Sequence, residues 1–258
     1  KESLFEKLWF DLRKLEQKDG ISRTCRLDTQ FRMHPKLGDF VSVNFYEDND
    51  DGGLLSPSDV RPYVHNLASY ARKYGAWIDV PQTRGMEQTR NFSKFRSCEA
   101  HVIAKEVHRL LNESPDLTIG VIAFYTAQVN EIGKALVQYG VTEINETDSW
   151  DIAPRWTHAY NSDGKKVERL RIGSVDAFQG KEFDVVLLSI TRSNKIHALD
   201  ELSKRRKYGH LMLENRLCVA MSRQKKLLIA VGDRTFIQQS EDLTALRNFV
   251  TLCGEVSV

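Results

Sequence analysis

Five short apolar runs punctuate the chain: Trp77 to Val80, Leu117 to Ala123, Leu170 to Val175, Val185 to Ile190 and Leu227 to Val231. Their length and aliphatic, β-branched content predict strands, and the Val185 and Leu227 runs are almost continuously apolar, as central strands covered on both faces must be. Between the first two runs, Ala100, Ile103, Ala104, Val107, Leu110 and Leu111 return at helical spacing and form one buried stripe on a helix beginning near Ser97. Thr126 follows the second strand as a candidate N-cap, with Val129, Ile132 and Leu136 giving the next helix its inner face. Pro35 suits the first turn of another helix running to about Tyr46. Strands that alternate with helices predict an α/β fold with a mainly parallel central sheet and helices on both faces. Three polar stretches, 47–59, 141–166 and 193–210, read as loops or insertions. No repeat or compositional break marks a linker, so 26–258 is expected to be one domain and 1–25 a helical lead-in continuing from an upstream neighbour.

Composition narrows the function classes. With 258 residues, 41% of them hydrophobic, the chain can bury a substantial core. Its 37 Lys and Arg against 35 Asp and Glu leave a formal charge of only +2, so any affinity for a polyanion must come from local placement. Cys25, Cys98, Cys218 and Cys253 are far apart and form no C-x-x-C pair, which argues against a zinc site or a disulfide framework and suits a reducing compartment. No apolar run approaches the roughly 20 residues needed to cross a bilayer, so no membrane association is expected. The expected location is cytoplasmic, or nuclear in a eukaryote. Because the first residue is Lys, the sequence is expected to be a piece of a longer chain.

Candidate chemistry lies in three segments. Val175 to Ile190 (VDAFQGKEFDVVLLSI) places a Gln179-Gly180 turn between two predicted strands, followed by Glu182. Glycine lets backbone N–H groups approach an anion, and a nearby carboxylate can accept hydrogen bonds from ribose hydroxyls. By itself such a turn is more often only a turn. QFRMHP, Gln30 to Pro35, sets an aromatic and an arginine ahead of a helix, and Glu214 to Asp233 sets Arg216 and Arg223 before the last strand. The arginine fork suits spread phosphate charge.

Taken together and in order, these segments closely resemble the motor core of superfamily 1B helicases, in the branch containing the up-frameshift helicase, senataxin and bacterial relatives. The resemblance runs from about Ser3 to Phe249. It rests on SLFEKL (Ser3 to Leu8), LDTQFRMHPKLGDFVSVNFYED (Leu27 to Asp48), IGVIAFYTAQ (Ile119 to Gln128), the Gln179 turn and the Arg223 segment. It implies the second, C-terminal RecA-like domain of a P-loop NTPase-type motor, in which ATP is held between two such domains. Arg32 and Arg223 would then reach the γ-phosphate, Phe31 would pack near the adenine, Gln179 and Gly180 would line the phosphates, and Glu182 would bind the ribose. Ser174, Tyr125, Thr126 and Gln128 match positions that contact a single-stranded DNA or RNA backbone.

The chain departs from the family at two places. Cys218 stands where relatives commonly have asparagine, and Ala123-Phe124-Tyr125 stands where they often have Thr-Pro-Tyr, so a threonine contact is lost or shifted to Thr126. No G-x-x-x-x-G-K-[ST] occurs, nor an apolar strand ending in Asp-Glu. ATP and Mg2+ binding is therefore expected only together with an N-terminal RecA-like domain of the parent chain, with no metal ligand here. The alternative is a RecA-like scaffold that binds protein or nucleic acid without catalysis. A dehydrogenase lacks support, since no G-x-G-x-x-G follows a strand. Lys204-Arg205-Arg206-Lys207 is either a strand-contacting loop or a solvated charge run, and His34 is expected to be structural.

Overall fold

The computed structural model describes residues 4–25, 27–46, 53–161 and 163–253. Helix α1 (Leu4–Asp19) precedes α2 (Pro35–Phe45). Next come strand β1 (Gly75–Asp79), a small hairpin of β2 (Gln88–Arg90) and β3 (Ser93–Phe95), helix α3 (Ser97–Glu113), β4 (Ile119–Ala123) and α4 (Thr126–Leu136). Two further hairpins, β5 (Thr142–Ile144) with β6 (Trp150–Ile152) and β7 (His158–Tyr160) with β8 (Lys166–Glu168), flank a one-turn helix α5 (Pro154–Thr157). The chain continues through β9 (Leu170–Ser174), β10 (Phe183–Ser189), α6 (Glu201–Tyr208), α7 (Glu214–Ala220), β11 (Gln224–Gly232), α8 (Arg234–Gln238) and α9 (Thr244–Cys253).

The central sheet has the order β1-β11-β10-β4-β9 and every pairing is parallel. Side chains alternate between two cores with the period of a strand. Val186 and Leu188 of β10, with Leu228 and Ala230 of β11, join α2, α7 and α9 on one face. Val185 and Leu187, with Leu227, Ile229 and Val231, join α3 and α4 on the other. Both faces are apolar, which is why these strands read as unbroken runs. The fold is thus the α/β, RecA-like class expected, and each of the five central strands lies where its apolar run predicts.

Three details correct the sequence reading. Helix α4 is capped differently: Tyr125 occupies the cap position without a side-chain bond, Thr126 is the first helical residue, and Ser93 Oγ of the hairpin accepts from Ala127 N at 3.1 Å. The stretch 141–166 is not structureless, because Trp150 and Trp156 anchor its hairpins against α4 and the lower core. The stretch 193–210 contains α6, started by a capping box in which Asp200 and Ser203 bond reciprocally. Of the 47–59 stretch, 47–52 lie outside the described residues, and 53–59 pack back on α2 and the segment before it through a bridge between Thr29 and Leu55, with Leu54 N donating to Ser42 Oγ and Gln30 Nε2 to Ser56 Oγ.

Trp150 makes α4 sensitive at one position. A Cβ on Gly133 would come within 2.1 Å of the indole ring. Gly133→Ala is therefore expected to lower stability by about 1–3 kcal/mol despite alanine's better helix propensity; thermal unfolding would show it as a fall in Tm.

Candidate nucleotide cleft and nucleic-acid face

The cleft is assembled at the amino ends of β4, β10 and β11. Its first wall is the QFRMHP segment, shaped by Gln30. The Gln30 side-chain oxygen accepts from the backbone N–H of Arg32 (3.0 Å) and Met33 (2.9 Å), and its amide donates to Met33 O (3.0 Å). This bracket turns Met33 into the core and leaves the Phe31 ring 73% exposed. His34 is structural, as expected: Nδ1 accepts from Lys36 N at 3.2 Å to cap α2, and the ring stacks on Tyr74 at 4.8 Å. Pro35 takes the first helical position, where its missing N–H costs nothing. Tyr63 Oη donates to Phe31 O at 2.9 Å and steadies the segment from outside.

Arg32 then reaches across 150 residues of sequence to Glu182, Nε to Oε2 at 3.2 Å, and donates from Nη1 to Ser222 O at 3.2 Å. Ser222 also holds Arg223, whose Nη2 donates to Ser222 Oγ at 2.9 Å while Nε donates to the α7 carbonyl of Val219 at 3.0 Å. The three segments singled out in the sequence therefore meet. Phe31, Arg32, Gly180 and Glu182 line one open cleft of about 840 Å³. Arg223 sits half-buried beside it, whereas Gln179 is exposed and outside the lining. Gly180 adopts φ +74° with open space around its Cα, so the turn uses glycine for its backbone freedom.

The lining sets Arg32, Lys181, Lys225 and Lys226 against Asp116, Glu168, Glu182 and Asp184, and Arg223 adds a further positive charge beside it. Glu182 is shared by Arg32 and, at 4.0 Å, by Lys225. Arg223 has no carboxylate within salt-bridge distance among the described residues, and its pKa is lowered first by burial and then by the neighbouring Arg32. Two guanidiniums held close with one shared carboxylate would be relieved by an anion. Beneath them Asp184 and Thr118 exchange bonds, Asp184 Oδ2 accepting from Thr118 N (3.0 Å) and Oγ1 (2.9 Å), with Asp184 N donating back at 2.8 Å. Arg216 lies elsewhere, paired with Asp176.

The residues matched to nucleic acid lie at the opposite, carboxyl edge of the sheet. Ser174 ends β9 half-buried, and Thr126 is exposed at the start of α4. Tyr125 turns inward, its hydroxyl accepting from Arg192 Nη1 (3.0 Å) and His210 N (3.1 Å), so only its backbone stays near the helix start. Gln128 is a correction. Its side chain is fully buried, Oε1 accepting from Arg96 N at 2.7 Å and Nε2 donating to Ser189 Oγ at 3.0 Å, because it braces α4 to the sheet instead of facing solvent.

A model of the family described as an AAA domain matches residues 1–235 of this chain. The chain belongs to the AAA domain family. Its relatives include helicases: it is 28% identical over 223 residues to "Helicase sen1" of Schizosaccharomyces pombe, covering 84% of this chain and 11% of that protein. It is 27% identical over 242 residues to "Regulator of nonsense transcripts 1 homolog" of Drosophila melanogaster, covering 88% of this chain and 17% of that one. The chain thus spans under a fifth of either relative. Among solved structures, the C-terminal domain of a possible DNA helicase from a Lactobacillus aligns over 79% of this chain and 88% of its own, at 12% identity and a TM-score of 0.40, too low to add to the argument. The family and these helicase relatives agree with the superfamily 1B resemblance read from the motifs.

Within this AAA domain the structure adds residues that the sequence did not single out. Gln30 and Tyr63 hold the Phe31–Arg32 segment, Lys225 shares Glu182, and Tyr160 and Asn161 of the β7–β8 hairpin line the far side of the cleft. Gln30 lies inside a recognisable motif, but nothing in a polar insertion marks Tyr160. Among the described residues no helix is long and apolar enough to cross a membrane, and no three His, Cys, Asp or Glu side chains gather as a metal site.

Proposed function

We propose that this domain is the C-terminal half of an ATP-dependent superfamily 1 helicase motor acting on single-stranded DNA or RNA. The observation that carries the reading is the convergence of Arg32 and Glu182 in one cleft with Arg223 beside it, brought from segments up to 190 residues apart, where Arg223 adds a guanidinium without a salt-bridge partner among the described residues. In this reading Arg32 and Arg223 are arginine fingers: they sit ready to stabilise charge on the phosphoryl group as it transfers to water. Phe31 offers its exposed ring to the base, Gly180 brings backbone close to phosphate, with Gln179 beside it, and Glu182 exchanges its Arg32 partner for the ribose hydroxyls. Magnesium and the Walker loop would come from an N-terminal RecA-like domain of the parent chain. The lead-in at 1–25, containing helix α1 with Leu4, Phe5, Leu8, Phe10 and Leu15 exposed, would join the two, leaving 26–258 as the domain proper.

At the opposite edge, the positive dipole end of α4, with Thr126 and Ser174, would hold strand phosphates without reading bases. Nucleotide and strand on opposite edges of one rigid sheet give a direct route from cleft closure to a changed grip. The parent protein should hydrolyse ATP faster when single strand is added, and an inactive parent with an intact Walker loop would refute the enzymatic reading. In the same assay Phe31→Ala is expected to raise KM for ATP about tenfold with little change in kcat, as loss of uniform ground-state binding does.

A further inference from the structure

The β2–β3 hairpin ends in a feature that packing does not explain. Its two turn residues, Asn91 and Phe92, are both left-handed, with φ of 47° and 63°, the geometry of a tight hairpin turn that favours Asn-Gly. A phenylalanine there is strained, and its ring is fully exposed, so it gains no burial in return. The hairpin beneath is firmly held. The Arg90 guanidinium lies 4.2 Å over the Phe95 ring and pairs with Glu131 at 3.2 Å, while Ser93 caps the start of α4. Phe92 is thus fixed beside the helix start already assigned to the strand.

Between this tip and α6 runs an open groove of about 870 Å³, lined by Phe92, Lys94, Tyr125, Arg205, Arg206 and His210 among others. Helix α6 treats its cations unequally. Lys204 is neutralised by Asp242 at 2.7 Å, and Lys207 lies over the Tyr208 and Phe236 rings. Arg205 and Arg206 are exposed and have no ion pair among the described residues. In a chain with a net charge of only +2, two exposed arginines without an ion pair on a groove shared with an exposed aromatic, and with Glu201 the one carboxylate in its lining, are a local concentration of what binds unpaired nucleotides: a stacking surface and phosphate partners.

We propose that the β2–β3 hairpin and α6 form a second subsite for single-stranded nucleic acid, in which Phe92 stacks on an unpaired base and Arg205 and Arg206 hold the flanking phosphates. The subsite rests on the strand-binding reading and extends the path beyond Thr126. Stacking needs a base out of its duplex, so the subsite favours single over double strand and tolerates any sequence.

The test is fluorescence anisotropy of fluorescein-labelled dT20 and rU20 with the full-length parent protein. Phe92→Ala is expected to weaken binding about tenfold and Phe92→Trp to restore it. The pair Arg205→Gln with Arg206→Gln is expected to flatten the slope of log K against log salt by about 1.4, roughly 0.7 for each phosphate contact. Unchanged affinity and slope in these variants, with the parent still binding both oligonucleotides, would overturn the subsite and leave the helicase reading intact. A parent that binds neither oligonucleotide would overturn both.

Discussion

Arg223→Ala in the parent protein is expected to lower the strand-stimulated ATPase rate by about 10³-fold or more, with Arg32→Ala close behind. The loss should appear in kcat, because in the proposed mechanism each guanidinium acts on charge that develops during transfer. Folding should be little affected, since among the described residues the Arg223 side chain bonds Val219 O and Ser222 Oγ and the Arg32 side chain bonds Glu182 and Ser222 O. Arg223→Lys should not rescue the rate, because a point charge cannot replace the fork that bonds Ser222 and still faces the cleft. A scaffold that had abandoned catalysis would show no such loss.

The largest stability effect is expected at the carboxyl edge, in a buried network under the strand-facing surface. Arg96 and Glu99 are both fully buried and 3.4 Å apart. Arg96 donates to the carbonyls of Gly85 and Pro81, each at 2.8 Å, while Glu99 Oε1 accepts from Ser189 Oγ (2.6 Å) and Thr191 N (2.8 Å). Arg96→Met removes the one cation paired with this buried carboxylate among the described residues and leaves two carbonyls without that donor, which should cost about 3–5 kcal/mol. Burial already pushes Glu99 from 4.5 up to about 7 against the pull of these donors. The folded chain therefore holds a proton that the unfolded chain has released, and the contribution from Glu99 is full below about pH 4.5 and fades as pH rises through about 7. Chemical denaturation at pH 5 and pH 8 should show Arg96→Met harming the protein more at pH 8, and Glu99→Gln losing the Glu99 part of the pH dependence.

The central strands were legible because both faces of each are buried, so their composition alone sets them apart. Val185 to Ile190 and Leu227 to Val231 fall within or one residue beyond β10 and β11, whose flanks Phe183 and Gln224 pair across the cleft floor. The small hairpins were not legible. Strands of three residues with at most one buried side chain carry too few apolar positions to stand out, and the 141–166 stretch is anchored by Trp150 and Trp156 against residues outside it. Helix α6 was hidden by its charge, although the Asp200 and Ser203 capping pair was present in the sequence. Of the site, Arg32, Glu182 and Arg223 could be picked out by motif because their type and order matter. Gln128 could not be placed the same way: its position in the motif was visible, but the buried Arg96 and Ser189 that claim its amide are brought there only by tertiary folding.

The central claim is that two guanidiniums are aimed at the terminal phosphate of a bound triphosphate. Binding of ADP and of ADP with aluminium fluoride to the full-length parent, compared across wild type, Arg32→Ala and Arg223→Ala, tests it most directly. ADP affinity is expected to stay within about threefold of wild type in both variants, with a loss of about 10³-fold for the fluoride complex, which mimics the phosphoryl group in transfer. Equal affinity of all three proteins for the fluoride complex would contradict the claim.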